Sequence, residues 1–244
     1  MHLTETNHRS LMISELPDTC VGEICLRIPA KFRRGVYRAD ERKSIESAIH
    51  NLKVIADLTR VKDWSTKTIL DFGCGVKFTQ ALVQYNVGVG TYVGMDVHEG
   101  LINCLNERVN RPNFCFYPVP FQNDMYNPKG IRLQANSKLP GLFEYYDLIT
   151  LQSVFTHFEP ADFQALLHVL RPYAASESRM LFSCAVDNDM DGDFLDSVPG
   201  QRLMKAFYKE SFIRSMLKEA NWIPLSFHPP NKYMRYHFVC KPGS

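Results

Sequence analysis

The chain lacks any long apolar run. A membrane helix needs roughly 20 consecutive apolar residues, and no segment approaches that. The opening segment, MHLTETNHRSLMISELP, lacks the apolar stretch of a secretory leader. One-sided charge is missing too. The 28 Lys and Arg stand against 26 Asp and Glu, a formal net charge of +2. So even a balance makes no electrostatic demand for nucleic acid or a membrane surface as partner. The seven cysteines, Cys20, Cys25, Cys74, Cys104, Cys115, Cys184 and Cys240, include no CxxC pair. Their number is odd and most fall in apolar runs, so they read as free thiols of a reducing compartment. Cytoplasm is the expected location. Internal repeats and low-complexity tracts are absent.

What is present is a chain of 244 residues, enough for one sizeable core. Residues 1–35 carry no sustained period and are punctuated by Pro17, Gly22, Pro29 and Gly35, and the segment they open extends to residue 39. They read as an N-terminal arm, with the basic run Lys31 to Arg38 either solvated or a lid over an anionic ligand. Residues 40–244 read as the main domain. Ile45, Ala48, Ile49, Leu52, Ile55, Ala56 and Leu58 recur at helical spacing, which predicts a helix from Asp40 to near Trp64. Strands and helices then alternate. Strands are predicted at 68–73, 91–96, 114–117, 146–151 and 179–184, with helices at 78–85, 99–109, 160–170 and 205–220. Two last strands, at 223–227 and 233–240, are joined by Pro229, Pro230 and Asn231. The alternation predicts a Rossmann-like, seven-stranded, mostly parallel α/β sheet with helices on both faces. The short final connection makes the C-terminal strand antiparallel.

In such a sheet, ligands sit beyond the carboxyl ends of the strands. The first strand ends in Asp71-Phe-Gly73-Cys74-Gly75, where glycines permit a tight turn into a helix N-terminus. The second ends in Asp96, a carboxylate placed to accept ribose hydroxyls or to cap the following helix. A dinucleotide fingerprint needs glycine at position 78, which is Phe78. The acid-x-G-x-G-x-G pattern of methyltransferases is matched at Asp71, Gly73 and Gly75 and broken at Lys77. The acidic loop Asp187-Asn-Asp189-Met-Asp191-Gly192 resembles the start of a calcium loop. Val198 occupies its twelfth position, where glutamate is required, so no metal is expected there.

Ile69-Leu-Asp-Phe-Gly-Cys-Gly75, Tyr92-Val-Gly-Met-Asp96, Met125-Tyr-Asn-Pro-Lys-Gly130 and Tyr146-Asp-Leu-Ile-Thr-Leu-Gln-Ser-Val-Phe-Thr-His-Phe158 together resemble class I S-adenosylmethionine-dependent methyltransferases. The resemblance is strongest to a bacterial group with a Ser-Val-Phe-Thr-His segment after the fourth strand, and it covers about residues 40–185. It implies S-adenosyl-L-methionine as cofactor. Gly73, Cys74 and Gly75, with Asp71, would line its methionine part, and Asp96 would hold the ribose. Val97 or His98 would cover the adenine, and Gln152 and Ser153 would lie alongside. Lys77, where the chain departs from the family pattern, is either a surface cation at a helix start or a group that reaches the methionine carboxylate. His157 would stand near the transferred methyl group, either as a base or as a fixed hydrogen-bonding residue. Relatives carry an acid after the third strand; here Gln122, Asn123 and Asp124 stand nearby instead. Acceptor recognition would fall to Tyr37, to Tyr126 in the 118–144 insert and to the 186–204 loop. The implied reaction is methylation of an oxygen on a small-molecule acceptor such as a sugar or glycan precursor. A methyltransferase-like scaffold without turnover and a nicotinamide-dependent reductase are the competing readings. Nucleic-acid modification is disfavoured, because no Asn-Pro-Pro-Tyr-like tetrad ends the fourth strand.

Overall fold

A computed structural model describes residues 9–141, 143–230 and 235–244. Asn231 and the first two residues of the predicted strand at 233–240 lie outside the described residues. The first helix, α1, spans Glu41–Thr59, with the Asp40 carboxylate accepting the Lys43 N–H at 3.1 Å. That cap satisfies one of the free donors of the first turn. Arg60, at φ 61°, ends it in the left-handed conformation. It therefore stops short of Trp64, whose indole N–H donates to the Val61 carbonyl at 2.9 Å.

The strands are β1 (Thr68–Phe72), β2 (Thr91–Asp96), β3 (Phe114–Pro118), β4 (Leu148–Leu151), β5 (Arg179–Val186), β6 (Phe194–Asp196), β7 (Ala206–Tyr208), β8 (Trp222–His228) and β9 (Tyr236–Pro242). The remaining helices are α2 (Lys77–Gln84), α3 (Glu99–Arg108), α4 (Pro160–Leu170) and α5 (Glu210–Glu219). β3, β2, β1, β4 and β5 pair in that order, all parallel. β9 inserts antiparallel beside β5, and β8 lies outside it. The antiparallel C-terminal strand is as the short connection requires.

The described chain has nine strands rather than seven. The additional two, β6 and β7, are three-residue pieces beyond the end of β5, paired with each other and, through β7, with Ala185 and Val186. β7 occupies the start of the segment expected to be helical from Lys205, so α5 begins only at Glu210. A three-residue strand is too short to show a period of two.

Neighbouring strand residues feed opposite faces. Leu70, Val93 and Ile149 join α4 and α5 in one core layer; Ile69, Tyr92 and Leu148 join α1, α2 and α3 in the other. The arm contributes Ile13, Leu16, Ile24, Leu26, Ile28 and Phe32 to the second layer, all buried. Its irregular backbone is satisfied by side chains of the helices beneath. Gln80 Nε2 donates to the Leu26 carbonyl at 3.0 Å, Gln84 Nε2 to Glu23 at 2.8 Å and Arg42 to Cys20 at 3.0 Å. Among the described residues, no helix is long and apolar enough to cross a membrane.

Candidate active site

The parallel strands all end on one side, and their turns enclose a cavity of about 470 Å³. That is within the range of small-molecule and cofactor sites. The turn after β1 forms one wall. Gly73 and Gly75 have φ of 71° and 52°, where a side chain would strain the backbone. A Cβ on Gly73 would also stand 2.6 Å from the Val154 side chain, whereas one on Gly75 would meet nothing within 4 Å. The Gly73 and Cys74 N–H groups both donate to the Met95 carbonyl, at 2.7 and 3.0 Å, which pins this turn to the end of β2.

Asp96, at that end, is almost fully buried and lines the cavity. Its carboxylate accepts the Gly75 N–H at 3.1 Å and the His98 N–H at 2.9 Å. It also pairs with the Arg34 guanidinium at 3.2 Å. Arg34 lies 4.2 Å above the Tyr126 ring, and Tyr126 stacks on His98, 5.7 Å between centroids. Val97 lines the cavity beside this column.

Tyr126 is held by the fold of its own insert. The Asn123 carboxamide oxygen accepts the Tyr126 N–H at 3.0 Å, and Asn123 and Asn127 exchange backbone hydrogen bonds. Gly130 is obligatory there, since a Cβ would come within 2.6 Å of the Phe121 backbone. The same insert brings Gln122, Asn123 and Asp124 to the cavity.

β4 delivers the opposite wall. Gln152 and Ser153 line the cavity, and Ser153 takes φ 65° while its N–H donates to Ser183 Oγ at 2.9 Å. A non-glycine residue in that region is uncommon and concentrates at functional sites. The Gln152 Nε2 is buried without a hydrogen-bond partner. His157 follows in a short helical turn, Phe155–His157, anchored by Phe155 stacked on Phe163 of α4. Its Nδ1 is 2.6 Å from the Met204 carbonyl. A carbonyl only accepts, so Nδ1 carries the proton and Nε2 is left as the basic nitrogen. Burial holds the ring below the ordinary histidine range. The Met204 contact opposes this, and Arg235 and Arg34 add to it.

Four other candidates do not line the cavity. Asp71 does not line the cavity: Tyr92 Oη donates to it at 2.6 Å and Thr150 Oγ1 at 3.1 Å, inside the sheet. Cys74 is buried, and burial pushes its thiol up. Lys77 and Tyr37 pair with each other, the ammonium 3.8 Å above the ring, with Ser47 Oγ at 3.4 Å. Arg34, Arg132, Leu133 and the Gln201–Met204 stretch also line the cavity. Arg34 was visible only as part of a basic run, and Met204 acts through its carbonyl, which no sequence pattern marks.

Burial raises Asp71 to about 7, against the two hydrogen bonds that lower it, with the Asp96 charge adding to the rise. The folded state thus holds a proton the unfolded chain releases near pH ~4. That contribution to stability is full below the unfolded value and is lost as pH rises through about 7. Melting temperatures from pH 5 to 8 should therefore favour Asp71→Asn over the parent increasingly with pH. A constant difference would show that Asp71 stays ionised in the fold.

Residues 70–174 match the model of a family described as a methyltransferase domain. Several solved structures share the fold. The magnesium protoporphyrin IX methyltransferase of Synechocystis PCC 6803, crystallised with bound S-adenosylmethionine, is 17% identical, with 87% of this chain and 86% of that chain covered and a TM-score of 0.54. A structure of the Haloferax volcanii Trm112 methyltransferase activator in complex with a methyltransferase aligns at 13% identity, covering 85% of this chain and 96% of that one, with a TM-score of 0.59. The mitomycin 7-O-methyltransferase is 14% identical over 85% of this chain and 58% of its own, with a TM-score of 0.52.

Proposed function

We propose that the chain is an S-adenosylmethionine-dependent methyltransferase, a reading supported by the Rossmann-like methyltransferase fold and by the match of residues 70–174 to the methyltransferase-domain model. Its acceptor would be an oxygen of a small molecule, of the saccharide type that the Ser153-Val-Phe-Thr-His157 segment suggests. The observation that carries the reading is one cavity with the Asp96 carboxylate at one wall and the His157 imidazole at the other.

The residues present fit the cofactor. The glycine turn leaves open space where Gly75 would carry a Cβ, Gln152 Nε2 is a buried donor awaiting an acceptor, and Asp96 offers a carboxylate. Asp96 would take the ribose hydroxyls, Val97 and His98 the adenine face, and Gly73, Gln152 and Ser153 the methionine end. Bound there, S-adenosylmethionine supplies an already activated methyl group. The chain's own contribution is proximity and orientation, which can amount to about 7–11 kcal/mol. It also supplies a proton acceptor, His157 Nε2, for the acceptor hydroxyl. The Tyr126 ring and the arm, with Tyr37, would shape the acceptor's entrance. Residues 1–39 would then act as a lid on the domain formed by residues 40–244.

Lys77 opens α2 directly after the glycine turn and would leave the Tyr37 ring to hold the methionine carboxylate. Burial, then Arg235 and Arg34, bring its ammonium down to about 8. The charged form is the one that binds a carboxylate, so affinity for S-adenosylhomocysteine should fall above about pH 8. Lys77→Ala should cost about tenfold at neutral pH, the worth of one partly exposed charge-assisted contact, and should flatten that pH dependence. Calorimetric titration at several pH values checks both. Unchanged affinity in the variant would remove Lys77 from the site. No binding by the parent protein would instead favour a scaffold with this fold.

A further inference from the structure

Arg235 is a half-buried cation that forms no ion pair with a carboxylate among the described residues. It directly precedes β9, and the pairing of Tyr236 with Cys184 sets it at the C-terminal end of β5. That is the end of the sheet on which the glycine turn, Asp96 and His157 stand. Its Nη1 is buried and makes no hydrogen bond. Burial pulls the guanidinium below its ordinary value, and only Cys184 and Tyr37 oppose this. Neither is a carboxylate, and burial pushes the Cys184 thiol up, away from its charged form. The neighbours that face Arg235 are otherwise cations or imidazoles: Lys77, His157 and His237 are all depressed by it. The four residues before it, Asn231 to Met234, include no acid in their sequence.

Placing a charge in the interior without a counter-charge is costly. Arg34 has its partner in Asp96. On the reading above, Lys77 takes the donor's carboxylate. Arg34, Arg132 and Arg202 line the cavity itself, whereas Arg235 stands behind its wall within Coulomb range of the imidazole that would receive the acceptor's proton. We propose that Arg235 binds an oxyanion, a carboxylate or phosphate carried by the acceptor, so that the methyl-transfer site selects acidic small molecules. A planar guanidinium suits both groups, since it can donate two parallel hydrogen bonds to either. The idea rests on the methyltransferase reading, and it narrows the acceptor from sugars in general to acidic ones, such as uronic acids or sugar phosphates.

The test uses the full chain with S-adenosylhomocysteine present, titrated with inorganic phosphate, glucuronate and glucose. Glucuronate and glucose differ in the carboxylate alone. The parent protein should bind phosphate and glucuronate, and glucose at least tenfold more weakly. Arg235→Gln should abolish that preference, and Arg235→Lys, which restores the charge without the fork, should recover part of it. Affinity for S-adenosylhomocysteine should stay within about twofold in both variants, which also shows that they fold. Equal binding of glucose and glucuronate, or a preference that survives Arg235→Gln, overturns the proposal. So does a loss of S-adenosylhomocysteine affinity that methylthioadenosine, which has no carboxylate, does not share, because Arg235 would then belong to the donor. If the parent protein binds no S-adenosylhomocysteine, the methyltransferase reading fails. Binding of phosphate that Arg235→Gln removes would still establish the oxyanion site.

Discussion

Asp96→Ala should weaken binding of S-adenosylmethionine and S-adenosylhomocysteine by about a hundredfold or more. Two hydrogen bonds from ribose hydroxyls to a buried carboxylate contribute about 1.5–3 kcal/mol each, and each 1.4 kcal/mol is a factor of ten. Part of that gain would be offset, because the same carboxylate pairs with Arg34 at 3.2 Å and would have to exchange that partner for the ribose. The carboxylate also organises the site, since it accepts the N–H groups of Gly75 and His98. Alanine leaves both donors without that acceptor and loosens the glycine turn as well. Asp96→Asn separates these roles, because it retains one acceptor oxygen at the same length and removes the charge. Calorimetry on both variants, with the melting temperature recorded alongside, reads binding and folding independently. Full affinity in a folded Asp96→Ala protein would mean that the ribose is held elsewhere.

His157→Ala should lower kcat by about 10²–10⁴, the usual range for a positioned acid–base group, and leave S-adenosylhomocysteine affinity nearly unchanged. The ring is prepared for this role by the Met204 carbonyl, which fixes the proton on Nδ1 at 2.6 Å. Burial holds it below the ordinary value of 6.5. The basic form therefore dominates throughout the neutral range, and kcat/KM should be flat there and decline only on the acid side of 6.5. In the alanine variant that acid limb should vanish along with the rate. Should His157→Gln restore turnover with an unchanged pH profile, the residue is a hydrogen-bonding support and the proton leaves by another path. Release of S-adenosylhomocysteine during turnover of an acidic sugar is the measurement that distinguishes these outcomes.

The parts of this protein legible in its sequence are those written at the length of whole elements. α1 announces itself because Ile45, Ala48, Ile49, Leu52, Ile55 and Ala56 all face one core layer. α4 runs from Pro160 to Leu170 as its first-turn proline and apolar spacing require. β1 and β2 end where glycine and aspartate say they should, and so the position of the candidate site, beyond the carboxyl ends of the strands, follows from order along the chain. β6 and β7 were illegible because three residues hold no period, and Ala206–Tyr208 is stabilised by pairing with β5, a long-range contact. The arm shows no pattern because its backbone is satisfied by Gln80, Gln84 and Arg42 rather than by its own repeat.

Which motif residues turn toward the cavity was decided by tertiary structure alone. Asp71 and Asp96 are both acids at strand ends. Asp71 is drawn into the sheet because Tyr92 and Thr150, on the neighbouring strands, offer it hydroxyl donors. Asp96 is held at the cavity by N–H groups of the turns on either side and by Arg34 from the arm. The sequence by itself determined the alternation of strands and helices, because periodicity is a local property. It also determined the placing of glycine where the backbone must turn with positive φ. The tautomer of His157, set by a carbonyl 47 positions away, and the gathering of Lys77, Arg235 and Tyr37 depend on contacts between segments far apart in the chain. Only packing the layers together brings such groups within hydrogen-bonding and Coulomb range.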